Sequence, residues 1–217
     1  MDEKYLNQLI TYLQELSHID PSEIPGLDLY MDQVTSFLDD HLSDVKRHKN
    51  DLALTKTMIN NYAKNKLLPP PNKKRYSKDH ILMLLFIFYY KGILQLNDIE
   101  TVLKPLNEKY FHKDGDLNLS DIYNAVFDLE KKEKEHLISD IREKFDHAKT
   151  TFSTEDSHYD SLSDSDREEL QLFSFLCELG FDVYLKKLIM ETIIDHLREM
   201  NVAKEAEERA LKKMKHS

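Results

Sequence analysis

The segment LTKTMINNYAKNKLLPPPNKKRYS, from Leu54 to Ser77, decides how the rest of the chain is interpreted. From Thr55 to Lys78 there are seven Lys and Arg and no Asp or Glu. Residues 46–78 carry ten basic residues and one Asp, a balance of +9 in a chain whose formal net charge is −10. Because an acidic body would repel DNA everywhere else, this pattern favours binding of DNA or another acidic partner at one basic strip, with an ordinary solvated run of charges as the alternative.

A short helix is predicted at the start of this segment, over residues 55–65. Thr55 is suited to cap it, and the prolines at 69–71 forbid its continuation. At 100° per residue, the inner side contains Met58, Ile59 and Tyr62. The outer side contains Lys56, Thr57, Asn60, Asn61 and Lys64. Asn pairs with adenine and Lys reaches guanine or phosphate, so we predict that the outer side reads the major groove. Tyr62 is expected to pack, with a phosphate contact as the alternative.

A second basic element follows the prolines. Residues 69–77 are predicted to form an extended wing that contacts DNA through Lys73, Lys74, Arg75 and Tyr76. The three basic residues would hold phosphates, which supply most of the non-specific affinity of DNA-binding proteins.

The rest of the chain has the apolar periodicity of helices. Helices are predicted over 4–17, 29–42 and 78–91, the last capped by Ser77 and apolar on all sides. A short helix from residue 97 is expected to end near Pro105, and a long one to run from Ser120 to about His147. Two further helices are expected in 170–200, separated near Gly180. The Ser-rich acidic residues before them indicate a solvated linker.

Composition argues against several classes of protein. The four glycines are far apart, so no glycine-rich phosphate loop exists, and Cys177 is the single cysteine, which excludes an internal disulfide. The ten histidines show no metal-ligand spacing, and no set of catalytic residues can be nominated. We therefore expect no cofactor, no metal site and no enzymatic activity. The N-terminus lacks the pattern of a signal peptide, and the apolar run of ten residues from Ile81 is too short to cross a bilayer. These features predict a cytoplasmic protein without a membrane partner.

Three stretches resemble, in chain order, the DNA-binding domain of MerR-type regulators. They are DQVTSFLDDHL, LTKTMINNYAKNKLLPPPNKKRYS and KDHILMLLFIFYYKGILQLNDIETVL. The recognition helix of that family has the form T-[IL]-R-Y-Y-E-x-x-G-L-L-P-P, and its wing ends in R-x-Y-S. A later helix of the family has the form S-x-x-E-I-x-x-L-L. The matching residues are Ile59, Tyr62, Leu67, Leu68, Pro69, Pro70, Lys74, Tyr76, Ser77, Leu96, Asp98, Ile99 and Leu103. Asn60, Asn61 and Lys66 depart from the family's Arg, Tyr and Gly.

A closer resemblance covers roughly residues 23–130. IPGLDLYMDQVTSFL joined to LTKTMINNYAKNKLLPPPNKKRYSKDHI is similar to a Firmicute family of unknown function, the YkrK-like proteins. Together the resemblances imply an all-α protein with a MerR-like winged helix-turn-helix at 23–118. Around it we expect an N-terminal helix at 1–22, a long helix at 119–149, an acidic Ser-rich linker at 150–168, and a helical region at 169–217 for dimerisation or sensing.

The leading functional hypothesis is a sequence-specific transcription regulator, expected to be a repressor. It would bind double-stranded DNA as a homodimer, because DNA half-sites are usually related by a two-fold axis. The sequence identifies no effector. The alternative is a helical protein-interaction adaptor whose basic strip docks an acidic partner.

Overall fold

The computed structural model describes residues 1–48, 50–113 and 115–215, and it describes their side chains except at 205 and 208–215. The predicted all-α class is confirmed, since helices make up most of the described chain. The helices are α1 (Glu3–Glu15), α2 (Met31–His41), α3 (Lys56–Lys64), α4 (Lys78–Tyr90), α5 (Leu96–Lys109), α6 (Leu119–Thr150) and α7 (Asp164–Lys215). Strands β1 (Leu29–Tyr30) and β2 (Arg75–Tyr76) pair antiparallel, with Leu29 opposite Tyr76.

The chain forms two compact units. One comprises Met1–His18 and Ala125–Lys186, and the other comprises Ile19–Asn124 and the residues from Lys187 onward. The first unit has a core of side chains from α1, α6 and α7. Its buried members are Leu6, Ile10, Ile141, Phe145, Ala148 and Phe175. The rings of Phe145 and Phe175 meet edge to face at 5.5 Å, which fixes α7 against α6 in this unit.

The second unit is built around α4. Every side chain from His80 to Ile87 is buried, as predicted for a helix that is apolar on all sides. Such a helix is stable in water only when neighbours cover it, and Tyr123 at the start of α6 packs with its ring 5.5 Å from that of Phe86. Among the described helices, none combines the length and hydrophobicity that a membrane span requires.

Helix α5 does not end at Pro105, so that prediction is wrong. The helix passes through the proline and continues to Lys109. Proline removes one backbone hydrogen bond, but the turn beyond it is held from outside the helix. Asn107 Nδ2 donates to the carbonyl of Leu67 at 3.0 Å, which ties the end of α5 to the segment after α3.

Helix α7 is continuous through Gly180, so the predicted break is also wrong. One glycine in a helix costs only about 1 kcal/mol relative to alanine, and packed residues such as Phe175 and Ile194 lie on either side of it. Helix α7 begins at Asp164, within the expected linker. Helix α6 begins at Leu119, one residue before the predicted cap, because Asn118 and Asp121 exchange side-chain and backbone hydrogen bonds of 3.0 and 3.1 Å.

Ser77 caps α4, as predicted, and it does so through His80. The Ser77 N–H donates to His80 Nδ1 at 3.0 Å, and the Ser77 hydroxyl lies 2.8 Å from the same nitrogen. The ring of His80 is only 2% exposed. Burial lowers the pKa of His80 to about 4; the Pro70 backbone offsets part of this, although Nε2 completes no hydrogen bond with a described residue.

We predict that His80 makes folding stability fall in mild acid. Its folded pKa of about 4 lies below the ordinary value of 6.5, so between these pH values the unfolded chain binds the extra proton. The contribution of His80 to the free energy of unfolding is fully present above pH 6.5. It is lost as the pH falls, and the loss reaches about 3 kcal/mol near pH 4. Urea unfolding of the wild type and of His80→Gln at pH 7, 5.5 and 4.5 tests this. Equal pH dependence of the two proteins would contradict it.

Candidate nucleic-acid interface

Helix α3 presents the face that the sequence predicts. Thr55 Oγ1 accepts the Met58 N–H at 3.2 Å, so the predicted N-cap is confirmed. Ile59 and Tyr62 are buried, so Tyr62 packs into the core as expected, and this burial raises the pKa of its phenol. The outward residues are all exposed. They are Lys56, Thr57, Asn60, Asn61 and Lys64.

The end of α3 is closed by a Schellman motif. The Leu67 N–H donates to the Tyr62 carbonyl at 3.0 Å, and the Lys66 N–H donates to the Ala63 carbonyl at 3.3 Å. Lys66 has a φ of 61°, the left-handed conformation that favours glycine. Lysine therefore adopts at this position a backbone conformation that glycine would adopt more readily, and its side chain is exposed.

A tight turn carries two of the predicted phosphate-binding lysines. The Arg75 N–H donates to the Asn72 carbonyl at 2.9 Å, and between them Lys73 and Lys74 have φ values of 47° and 65°. Both central residues are left-handed, as in the type I′ turn for which Asn-Gly is preferred. Both side chains are exposed at the tip, and the chain then enters β2.

Tyr76 does not belong to the surface. Its side chain is 3% exposed, its ring lies 5.4 Å from that of His80, and burial raises its pKa. Side chains alternate along a strand, so Arg75 points outward and Tyr76 points into the core. The prediction that Tyr76 contacts DNA is therefore withdrawn.

The first turn of α3 and the basic strand meet at the same end of α2. Lys56 on α3 forms an ion pair with Asp32. Arg75 donates to the Tyr30 hydroxyl from Nε at 3.3 Å and Nη2 at 3.1 Å, with its guanidinium 5.2 Å from the ring centroid. Tyr30 and Asp32 are two residues apart at the start of α2. The structure thus brings Lys56 and Arg75, one residue from each predicted basic group, to the same end of α2.

Sequence analysis missed Tyr30 and Asp32. The one feature of these residues that could be predicted locally is the start of α2, where the Tyr30 N–H donates to Gln33 Oε1 at 2.9 Å. Their contacts to Arg75 and Lys56, however, join residues 45 and 24 positions apart, and no local pattern encodes such pairs.

The basic side chains divide into paired and unpaired groups. Lys46 bonds Asp39 at 2.7 Å and lowers the pKa of that carboxyl, so it belongs to the framework. Lys49 lies outside the described residues. Among the described residues of the basic segment 46–78, four exposed lysines have no carboxylate oxygen of a described residue within 4 Å of their ammonium groups. They are Lys64, Lys66, Lys73 and Lys74.

A polar cleft of about 920 Å³ lies beside β2, at the start of α4. His112 lines it with a φ of 52°, its N–H donating to Asp79 at 2.7 Å and its Nε2 lying 3.0 Å from the Ser77 hydroxyl. The lining mixes Lys and Asp side chains. In the ranges that the structure describes, no group of three or more His, Cys, Asp or Glu could hold a metal ion.

Comparison with known proteins gives one result. Residues 19–126 match the family model of a domain of unknown function, DUF1836. The matched range runs from before β1 into α6, so it contains α3, the Lys73–Lys74 turn and the end of α2 where they meet. A search of curated proteins and a search of solved structures give no significant match.

The backbone of the Lys73–Lys74 turn can be tested by stability. Replacing Lys74 with Gly should raise the free energy of unfolding by about 0.5–1 kcal/mol, because glycine adopts the left-handed conformation without a Cβ penalty. Lys64→Gly is the matched control, and it should lower the free energy by up to about 1 kcal/mol because Lys64 is the last residue of α3, where glycine favours the helix less than lysine does. Urea unfolding measures both. A loss of stability in Lys74→Gly equal to that of the control would contradict the turn geometry.

Proposed function

We propose that the protein is a cytoplasmic, sequence-specific DNA-binding transcription regulator that acts as a homodimer. In this proposal α2 and α3 form a MerR-like helix-turn-helix, with α3 in the major groove. The Lys73–Lys74 turn and β2 form the wing, which holds the phosphate backbone.

The observation that carries the proposal is the meeting of α3 and the wing at the start of α2. Because Asp32 binds Lys56 and Tyr30 binds Arg75, the recognition surface and the phosphate-binding surface are held next to each other. A groove-reading helix needs backbone contacts beside it to set its register on the duplex. The Tyr30 hydroxyl accepts from Arg75 and still has its own proton to donate to a phosphate oxygen.

The residues of the outer face also support this function. Asn60 and Asn61 are exposed, and asparagine is a poor helix former, so neither packing nor helix propensity accounts for the pair. Two asparagine amides on a groove-facing helix supply the donor and acceptor that adenine requires.

The wing tip gives a second line of support. Two lysines in left-handed conformations are less favourable than the Asn-Gly that this turn prefers, and unfavourable backbone geometry concentrates at functional sites. The arrangement places at the tip of the turn two exposed ammonium groups without an ion-pair partner among the described residues. The acidic remainder of the chain would keep DNA away from other surfaces.

Replacing Asn60 with Ala should weaken binding to the preferred sequence by about 1–3 kcal/mol and leave binding to mixed-sequence DNA nearly unchanged. The preferred sequence is first obtained by selecting bound oligonucleotides from a random pool. Asn65→Ala is the matched control, since Asn65 is an exposed asparagine at the end of the same helix. Equal effects of the two substitutions would remove Asn60 from the reading surface.

Replacing Lys73 and Lys74 together with Gln should weaken binding to all DNA sequences alike. Each lost phosphate contact should reduce the slope of log K against log salt by about 0.9, and fluorescence anisotropy over a salt series measures this slope. Lys132→Gln, at an exposed lysine on α6, is the control and should leave the slope unchanged.

The adaptor hypothesis predicts a different result in the same assays. If the wild type retains no DNA at moderate salt, and a pull-down recovers one stoichiometric protein through the basic strip, the DNA-binding proposal fails.

A further inference from the structure

The first half of α7 has an apolar face that no described residue covers. In the unit formed with α1 and α6, Gln171 and Phe175 are buried. The opposite side exposes large apolar residues over about three and a half turns. They are Leu172, Phe173 (61% exposed), Leu176 (65%), Val183 and Tyr184 (60%), with Phe181 at the edge.

Charged residues are absent from this face. Between 170 and 186 the charged residues of α7 are Glu178, Asp182 and Lys186. Asp182 turns toward α6, where it pairs with Lys144 at 2.9 Å, and the other two lie within about 40° of it around the helix. The exposed side is therefore continuous apolar surface, which a monomeric protein rarely leaves open to water.

The size of the face matches one half of a protein–protein interface. If each of the six large residues has an area of about 150–250 Å², their exposed parts together amount to an area on the order of 700 Å². A standard interface buries about 800 Å² on each partner. One such contact would cover the face.

The order of side chains on the face is self-complementary. Gly180 lies near its middle, and a Cβ built there meets no atom within 4 Å. Leu176 lies four residues before this notch and Tyr184 four residues after it. If two copies cross antiparallel at Gly180, the backbones approach closely and each Leu176 packs against the partner's Tyr184. With a two-fold axis at Gly180, both copies make the same contact between Leu176 and the partner's Tyr184.

We propose that this face is the homodimer interface, with two α7 helices crossing antiparallel at Gly180. The inference deepens the homodimer of the proposed function, but it is tested without DNA, so each can fail separately. A membrane surface fits less well, because the polar side of this stretch is acidic overall whereas helices that lie on membranes are rich in Lys and Arg there.

A disulfide at the crossing point gives the sharpest test. In a Cys177→Ser background, Gly180→Cys should form a covalent dimer on mild oxidation, because residues on the two-fold axis come within the Cα separation of about 4.4–6.8 Å that a disulfide needs. Lys186→Cys in the same background is the control, since Lys186 is exposed on another side of α7. Non-reducing electrophoresis should show the dimer in the first variant alone. Equal cross-linking in both would overturn the proposed geometry.

A charge substitution tests the interface without relying on a close crossing. Leu176→Glu should weaken dimerisation by about 100-fold or more, because it buries a carboxylate without a partner. Leu185→Glu is the matched control, since Leu185 is equally a surface leucine of α7 but lies about 140° round the helix from Gly180. Analytical ultracentrifugation measures the dissociation constant, and circular dichroism confirms folding of both variants. A wild type that is monomeric at tens of micromolar, whether or not it binds vesicles or DNA, would overturn the inference.

Discussion

The second unit depends on the burial of α4 on every side. The seven consecutive apolar residues from Ile81 to Ile87 leave no polar face for water, so the surrounding helices must cover them. Burial of this much apolar surface is the dominant favourable contribution to folding. The same burial determines which side of α3 faces solvent. Because Ile59 and Tyr62 point inward, the polar side of α3 is exposed.

The same core positions the basic wing. Ser77 and His80 fix the start of α4, and the preceding strand can then place Tyr76 inside and Arg75 outside. Arg75 reaches Tyr30 at the start of α2, next to the Asp32 that holds Lys56. The candidate interface is thus a consequence of how α4 is capped and covered, and its positive charges are arranged by contacts from three elements that are distant in sequence.

Much of this could be predicted from sequence because it is local. Helical periodicity placed α1 to α4, Thr55 and Ser77 are caps that can be read directly, and the outer face of α3 follows from its wheel. The errors arose where tertiary contacts override local preference, since Asn107 holds the turn after Pro105 and the packing of Phe175 holds α7 in the stretch before Gly180. Tyr76 was wrongly assigned to the surface because a run of charged residues does not reveal which side chains of a strand point into the core. Tyr30 and Asp32 were missed because their partners are far along the chain.

Two features of the fold are unfavourable when the chain is considered alone. The left-handed conformations of Lys73 and Lys74 cost more than an Asn-Gly turn, and the apolar face of α7 is exposed to water. A different partner would stabilise each feature. A phosphate would form ion pairs with the exposed ammonium groups of the turn, and a second apolar surface would cover Phe173 and Leu176. The two surfaces differ in chemistry, one basic and one uncharged, so each suits a partner surface of a different kind. The proposed nucleic acid at the wing and the proposed second copy of the chain at α7 would together stabilise both features.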